Sequence, residues 1–260
     1  MVPEVADTSW SGPIGGLFAG AAMGLVISVL GAGGSMFIVP VFLYLFHEPM
    51  PVATGTSLAV VGAGALVGAL MHYRQGNLRL RVALAFSLGS TVAAPVGAWA
   101  HAFVPDRVAV ALFSAVLVIA AARMLGGTPE VKENAEPHRL RVLVPLGVGV
   151  GLLTGFLGVG GGFVILPALV IVARLPLRQA VGTSLAVISL TSITGAAGYA
   201  VKGLVSADLL VSVGSGAMLG ALLGAPLSSR LPERPMRYGF AALAAGVSLY
   251  MFGRAVFGDP

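Results

Sequence analysis

The chain has 260 residues, of which 57% are hydrophobic and 10% charged, with a mean hydropathy of +0.96. Water-soluble domains carry roughly 25% charged residues, so a soluble fold is excluded and the class is an all-α polytopic membrane protein. The 15 Lys and Arg against 10 Asp and Glu leave a net charge of +5, which reads as positive-inside loop bias rather than affinity for nucleic acid, and the absence of cysteine excludes disulfides, thiolate metal sites and cysteine nucleophiles.

Residues 1–12 hold Glu4 and Asp7 but no Lys or Arg. That is the wrong sign for a cleavable signal peptide, so they read as an extracytoplasmic N-terminus ahead of a retained first span. Apolar segments follow at about 13–30, 35–46, 55–72, 82–104 and 107–126. Residues 127–141 form the only sustained polar stretch and read as a cytoplasmic linker loop. Five more segments come at about 142–157, 162–173, 182–201, 205–228 and 236–257. The second of each set is short. Twelve residues of helix reach only about 18 Å, against a hydrocarbon core of about 30 Å, so 35–46 and 162–173 either stop partway or form re-entrant hairpins.

The two sets are copies of one another. A shift of 127 positions superposes Gly31-Ala32-Gly33-Gly34 on Gly158-Val159-Gly160-Gly161, Pro40 on Pro167, and Gly55-Thr56-Ser57-Leu58-Ala59-Val60 on Gly182-Thr183-Ser184-Leu185-Ala186-Val187. Over 31–60, 13 of 30 positions are identical after the shift, more than shared apolar composition produces. A first transmembrane repeat over 13–126 and a second over 142–257 follow. Duplication of an odd number of segments inverts the second copy in the membrane. Loop charge agrees: with both termini outside, 12 of the 15 positive residues fall in cytoplasmic loops, among them Arg74, Arg79, Arg81, Arg174 and Arg178. The expected fold is two inverted repeats of about five transmembrane or re-entrant segments each.

Irregular backbone inside a bilayer survives only where it lines a protein or water cavity. The two glycine breaks, Gly31, Gly33, Gly34 with Ser35 and Gly158, Gly160, Gly161 with Gly162, each precede a short helix whose first N–H groups and dipole favour an anion. In an inverted repeat they should face one another near the midplane as a two-sided cradle. The alternative is close helix packing by small residues. Thr56, Ser57, Thr183 and Ser184 are placed at the start of the third segment of each half, where their hydroxyls can cap that helix or donate to the same anion. Glu48, Asp106, Asp208 and Glu233 fall at segment ends, so no buried carboxylate is evident. His72 and His101 adjoin span interiors and are the candidates for proton coupling, against a plain interfacial role. Arg74, Arg79 and Arg81 read mainly as markers of orientation. Motifs of membrane proteases, serine hydrolases and ATP-driven pumps are missing, so the chain does not read as an enzyme and implies no cofactor.

The segments G-A-G-G-S-M-F-I-V-P and G-V-G-G-G-F-V-I-L-P, each followed by G-T-S-L-A, resemble the sulfite exporter family TauE/SafE, the TSUP transporters, over nearly the whole chain. The resemblance implies a multi-pass protein of the bacterial cytoplasmic (inner) membrane that moves sulfite or a small organosulfur anion such as sulfoacetate, with the matched Gly and G-T-S positions as its binding residues. The expectation is a secondary transporter exporting that anion by alternating access, with substrate and lipid bilayer as its partners. An anion channel, or a membrane partner of a sulfur-metabolising complex, stands as the alternative.

Overall fold

The computed structural model describes residues 12–31, 35–101, 103, 104, 106–126, 140–157 and 162–257. Among them run α1 (Pro13–Leu30), α2 (Ser35–Tyr44), α3 (Met50–Arg74), α4 (Leu80–His101) and α5 (Asp106–Leu125), then α6 (Leu140–Leu157), α7 (Gly162–Pro167), α8 (Leu177–Ala200), α9 (Ala207–Arg230) and α10 (Glu233–Phe257). A single π-helical turn, Ala168–Val172, extends α7. No strand occurs among the described residues. Five helices there are long and apolar enough to cross a membrane: α1, α3, Leu80–Gly97 of α4, α8 and α9. Leu84, Leu88, Val92 and Val96 form an exposed stripe at four-residue spacing on α4, a surface suited to lipid and not to water. The protein is a multi-pass helical membrane protein.

The short second helices end alike. His47 and Arg174, 127 positions apart, both adopt left-handed backbone, with φ of 54° and 53°. The next N–H closes a seven-residue loop in each case, Glu48 to the Phe42 carbonyl and Leu175 to that of Leu169, both at 3.0 Å. It is one residue wider than the usual 6→1 closure and likewise satisfies one of the last carbonyls of a helix. The third helices differ from expectation by starting five residues earlier, at Met50 and Leu177. Pro51 lies in the first turn of α3, where a missing N–H costs nothing, and Pro176 is the residue before α8. The G-T-S motifs therefore lie inside helices, in their second turn.

Glycines decide the packing. On α1, Gly16, Gly20 and Gly24 repeat every four residues, and Gly216, Gly220 and Gly224 do so on α9. A Cβ on Gly20 would collide with the Val213 carbonyl, and one on Gly220 with that of Ala21. The two backbones are in direct contact along their length, the small-residue solution to helix association in lipid. The partner order ascends on both helices, so α1 and α9 run parallel. The same interface recurs at the 127 shift with partners exchanged: Gly147 abuts the Phe86 carbonyl and Gly151 that of Ser90, so α6 runs parallel to α4. Between these pairs cross α3 and α8, with Leu58 against Gly195 and Leu185 against Gly68. Here the order on one helix ascends as the other descends, so the two equivalent helices are antiparallel.

Candidate functional site

Gly31 ends α1 in left-handed backbone, φ 74°, and its N–H closes on the Ile27 carbonyl at 2.8 Å. That conformation strains any residue with a Cβ. Its carbonyl in turn accepts the Ser184 hydroxyl at 2.7 Å, a proton Ser184 shares with the Val181 carbonyl at 2.8 Å. A Cβ on Gly31 would lie 2.9 Å from Ser184 Oγ and 3.0 Å from Val181 Cα. The glycine break of the first half is thus seated on the G-T-S motif of the second.

The threonines of both motifs hold loops from the opposite half. Thr183 Oγ1 accepts the backbone N–H of Arg79 at 3.1 Å, and Thr56 Oγ1 accepts that of Ser206 at 2.9 Å. Arg79 and Ser206 are themselves 127 positions apart. Gly182 makes room for the Asn77 carbonyl and the His72 side chain; Gly55 does the same for Leu204 and Tyr199. Both threonines are fully buried. The expectation that these hydroxyls cap their own helices is corrected: helices beginning five residues earlier leave them at mid-turn, where an N–H of another segment is the available donor.

Ser57 turns back to the Thr54 carbonyl at 2.8 Å. It and Ser184 do not share a level. Leu58, beside Ser57, packs on Gly195, eleven residues beyond Ser184 on α8, which is about 17 Å of helix rise. One small anion does not touch both hydroxyl pairs in this arrangement. Ser35 begins α2, and Gly162, buried, begins α7. Gly33, Gly34, Gly158, Gly160 and Gly161 lie outside the described residues, as does the side chain of His101. His72 is fully buried, its Nε2 3.2 Å from the Ser28 carbonyl.

Arg79 and Arg178, read from the sequence as loop charges, complete this corner together with Gln179, which sequence reasoning passed over. Arg79 Nε donates to Gln179 Oε1 at 2.9 Å, clamping the α3–α4 loop across the start of α8, and an Arg178 Nη donates to the Leu231 carbonyl at 3.3 Å. The 127 shift held the signal that pairs Arg79 with Ser206 and Thr183 with Thr56, but only the fold brings these pairs together.

The profile described as Sulfite exporter TauE/SafE matches residues 16–251. A Bacillus subtilis protein named "Probable membrane transporter protein YdhB" is 33% identical over 216 residues, covering 81% of this chain and 88% of the relative. A "Probable membrane transporter protein" of Xylella fastidiosa is 28% identical over 91% of this chain and 94% of its own. A Methanocaldococcus jannaschii relative, "Probable membrane transporter protein MJ0441", is 24% identical over 90% and 93%. No solved structure matches the chain. With a family profile matching residues 16–251, nearly its whole length, the chain belongs to the sulfite exporter TauE/SafE family of membrane transporters.

Proposed function

We propose that the protein is a secondary transporter that exports sulfite or a related small organosulfur anion across the bacterial inner membrane by alternating access between two inverted repeats. The observation that carries this reading is the Ser184 hydroxyl bonded to the Gly31 carbonyl at 2.7 Å, which joins the glycine break of one repeat to the G-T-S motif of the other. The antiparallel crossing of α3 and α8, equivalent helices of the two repeats, supports inversion, because a two-fold axis across the helices is an axis in the membrane plane. The anion is held by backbone N–H groups of the glycine breaks and by the hydroxyls of Thr56, Ser57, Thr183 and Ser184, the two serines exchanging their carbonyl partners for it. Because the two hydroxyl pairs stand at different depths, the substrate meets one motif pair at a time, as a carrier that opens to one side and then the other requires.

No ATP-binding motif is needed for export. With the interior negative, each exported negative charge gains about 2.3 kcal/mol per 100 mV, which is the drive on a monoanion, and a dianion leaves with about 4.6 kcal/mol. The test is counterflow in proteoliposomes. Unlabelled sulfite trapped inside should accelerate uptake of labelled sulfite, and flux should saturate. Flux that rises linearly with concentration and shows no acceleration would identify a channel instead.

A further inference from the structure

The scaffold is nearly symmetric, but the chemistry at its two ends is not. Where α1 stops and α8 begins stand Ser28, His72, Asn77, Arg79 and Gln179; the 127 shift puts Gly155, Tyr199, Leu204, Ser206 and Val52 in their places at the other end. Ser28 and His72 are both fully buried, and they touch through His72 Nε2 and the Ser28 carbonyl. His72 Nδ1 and the Ser28 hydroxyl nevertheless have no hydrogen-bond partner among the described residues. Buried polar atoms in a fold of this kind are nearly always paired, so two orphans on adjoining residues mark a place completed by something the chain does not supply.

Both orphans border the G-T-S motif of the second half. The His72 Cβ faces Gly182 and the Ser28 hydroxyl faces Gly68, itself packed on Leu185. At the edge of the same corner Arg79 is fixed twice, by its N–H on Thr183 and its Nε on Gln179. No carboxylate pairs with it among the described residues. A marker of membrane orientation needs only a charge in the loop; it does not need a guanidinium steered by a glutamine beside buried hydroxyls. Guanidinium and hydroxyl are donors matched to an oxyanion. With Nε2 directed at a carbonyl, the neutral His72 ring carries its proton there, and Nδ1 is an acceptor, which suits an oxyanion that still bears one O–H.

We propose that this corner, between Arg79, Ser28 and His72, is the loading site of the transporter for a singly protonated small oxyanion of sulfur, and that the Tyr199–Ser206 end, beside the Thr56 motif, releases the anion because it lacks a matching Arg–Ser–His set. The proposal rests on the transport reading above. Arg79 collects the anion, the Ser28 hydroxyl donates to it, and Nδ1 accepts its O–H. At the far end Tyr199 and Ser206 take the places of His72 and Arg79, and Asp208 stands where the loading end has Arg81, so among the described residues the Thr56 motif there has no guanidinium held beside it.

The test is calorimetric binding to the purified full chain of sulfite, in slightly acidic buffer where it is mostly hydrogen sulfite, and of methanesulfonate, which has the same charge and no O–H. Arg79→Gln should weaken both ligands about tenfold, the scale of one charge-assisted contact. Ser28→Ala should weaken sulfite similarly while leaving thermal stability equal or higher, since it removes an unpaired hydroxyl. His72→Phe should erase the preference for sulfite over methanesulfonate. Ser206→Ala and Tyr199→Phe, at the opposite end, should change neither affinity by more than about twofold. If His72→Phe does not fold, the comparison of Arg79→Gln with Ser206→Ala decides. Equal losses at both ends, or sulfite binding indifferent to Arg79→Gln and Ser28→Ala, would overturn the loading site and leave the transport reading standing. The same pattern with phosphate but no binding of either sulfur anion would keep the site and remove the sulfur substrate. No oxyanion binding at all would remove both.

Discussion

Thr183 Oγ1 accepts the backbone N–H of Arg79 across 104 residues of sequence, at 3.1 Å. Its counterpart, Thr56 with the N–H of Ser206 at 2.9 Å, repeats the contact in the opposite sense. Valine matches threonine in shape and lacks the acceptor, so Thr183→Val or Thr56→Val leaves a backbone N–H without its partner. Each should cost about 1–3 kcal/mol, and Thr→Ser should cost less. Thermal unfolding in detergent measures both. Equal loss in the Ser and Val variants would assign the effect to packing.

The glycine stripes carry no freedom of size. Gly20→Leu and its equivalent Gly147→Leu each drive a side chain into a carbonyl of the facing helix. Overpacking of that kind costs at least about 1–3 kcal/mol, and here it separates two backbones along a whole interface. Both variants should lose folded protein at size-exclusion chromatography. Gly149→Leu, which meets nothing within 4 Å, is the matched control and should remain monodisperse.

Sidedness is open to labelling because the chain has no cysteine of its own. Arg74 and Val201 occupy equivalent positions at the ends of α3 and α8, and both are exposed. A cysteine at 74 should react with a membrane-impermeant maleimide only from the cytoplasm, and one at 201 only from outside. Labelling of both from one side would end the inverted arrangement.

Gly31→Ala combines left-handed backbone with a Cβ 2.9 Å from Ser184 Oγ. The backbone conformation alone costs roughly 1–2 kcal/mol. Ser184→Ala takes away the colliding atom, so the penalty of Gly31→Ala should shrink in that background. A double-mutant cycle in thermal unfolding reads the coupling; strictly additive losses would show that the two residues do not constrain one another.

Anion export without a compensating ion moves net charge. A membrane potential imposed by a potassium gradient and valinomycin, with no pH gradient, should therefore drive sulfite flux in proteoliposomes. Flux that follows only an imposed pH gradient would replace uniport with proton exchange.

Much of this architecture was legible because duplication writes the fold twice. The repeat shift and the apolar segments follow from residue identities alone, and the matched left-handed His47 and Arg174 show how closely the two copies obey one plan. The G-T-S motifs were misplaced at helix starts because Gly55 and Gly182 look like breaks. In the fold they are clearances for the Leu204 and Asn77 carbonyls, and helix formation continues through them. Gly20, Gly24, Gly147 and Gly151 went unremarked in the sequence, since a stripe becomes visible only against its partner helix. Arg79 read as a loop charge because its two anchors, Gln179 and Thr183, stand a hundred residues away.

The exchanged interfaces bear on how the chain is made. α1 leaves the ribosome with its glycine face bare, and the helix that covers it, α9, is finished only at Arg230. The Arg79 N–H likewise waits for Thr183. Neither repeat is a folding unit, and the first must stay in the membrane as a half-built template until the second arrives. Two separately expressed halves, divided within 127–139, would then be inert alone and would recover function only when synthesised together.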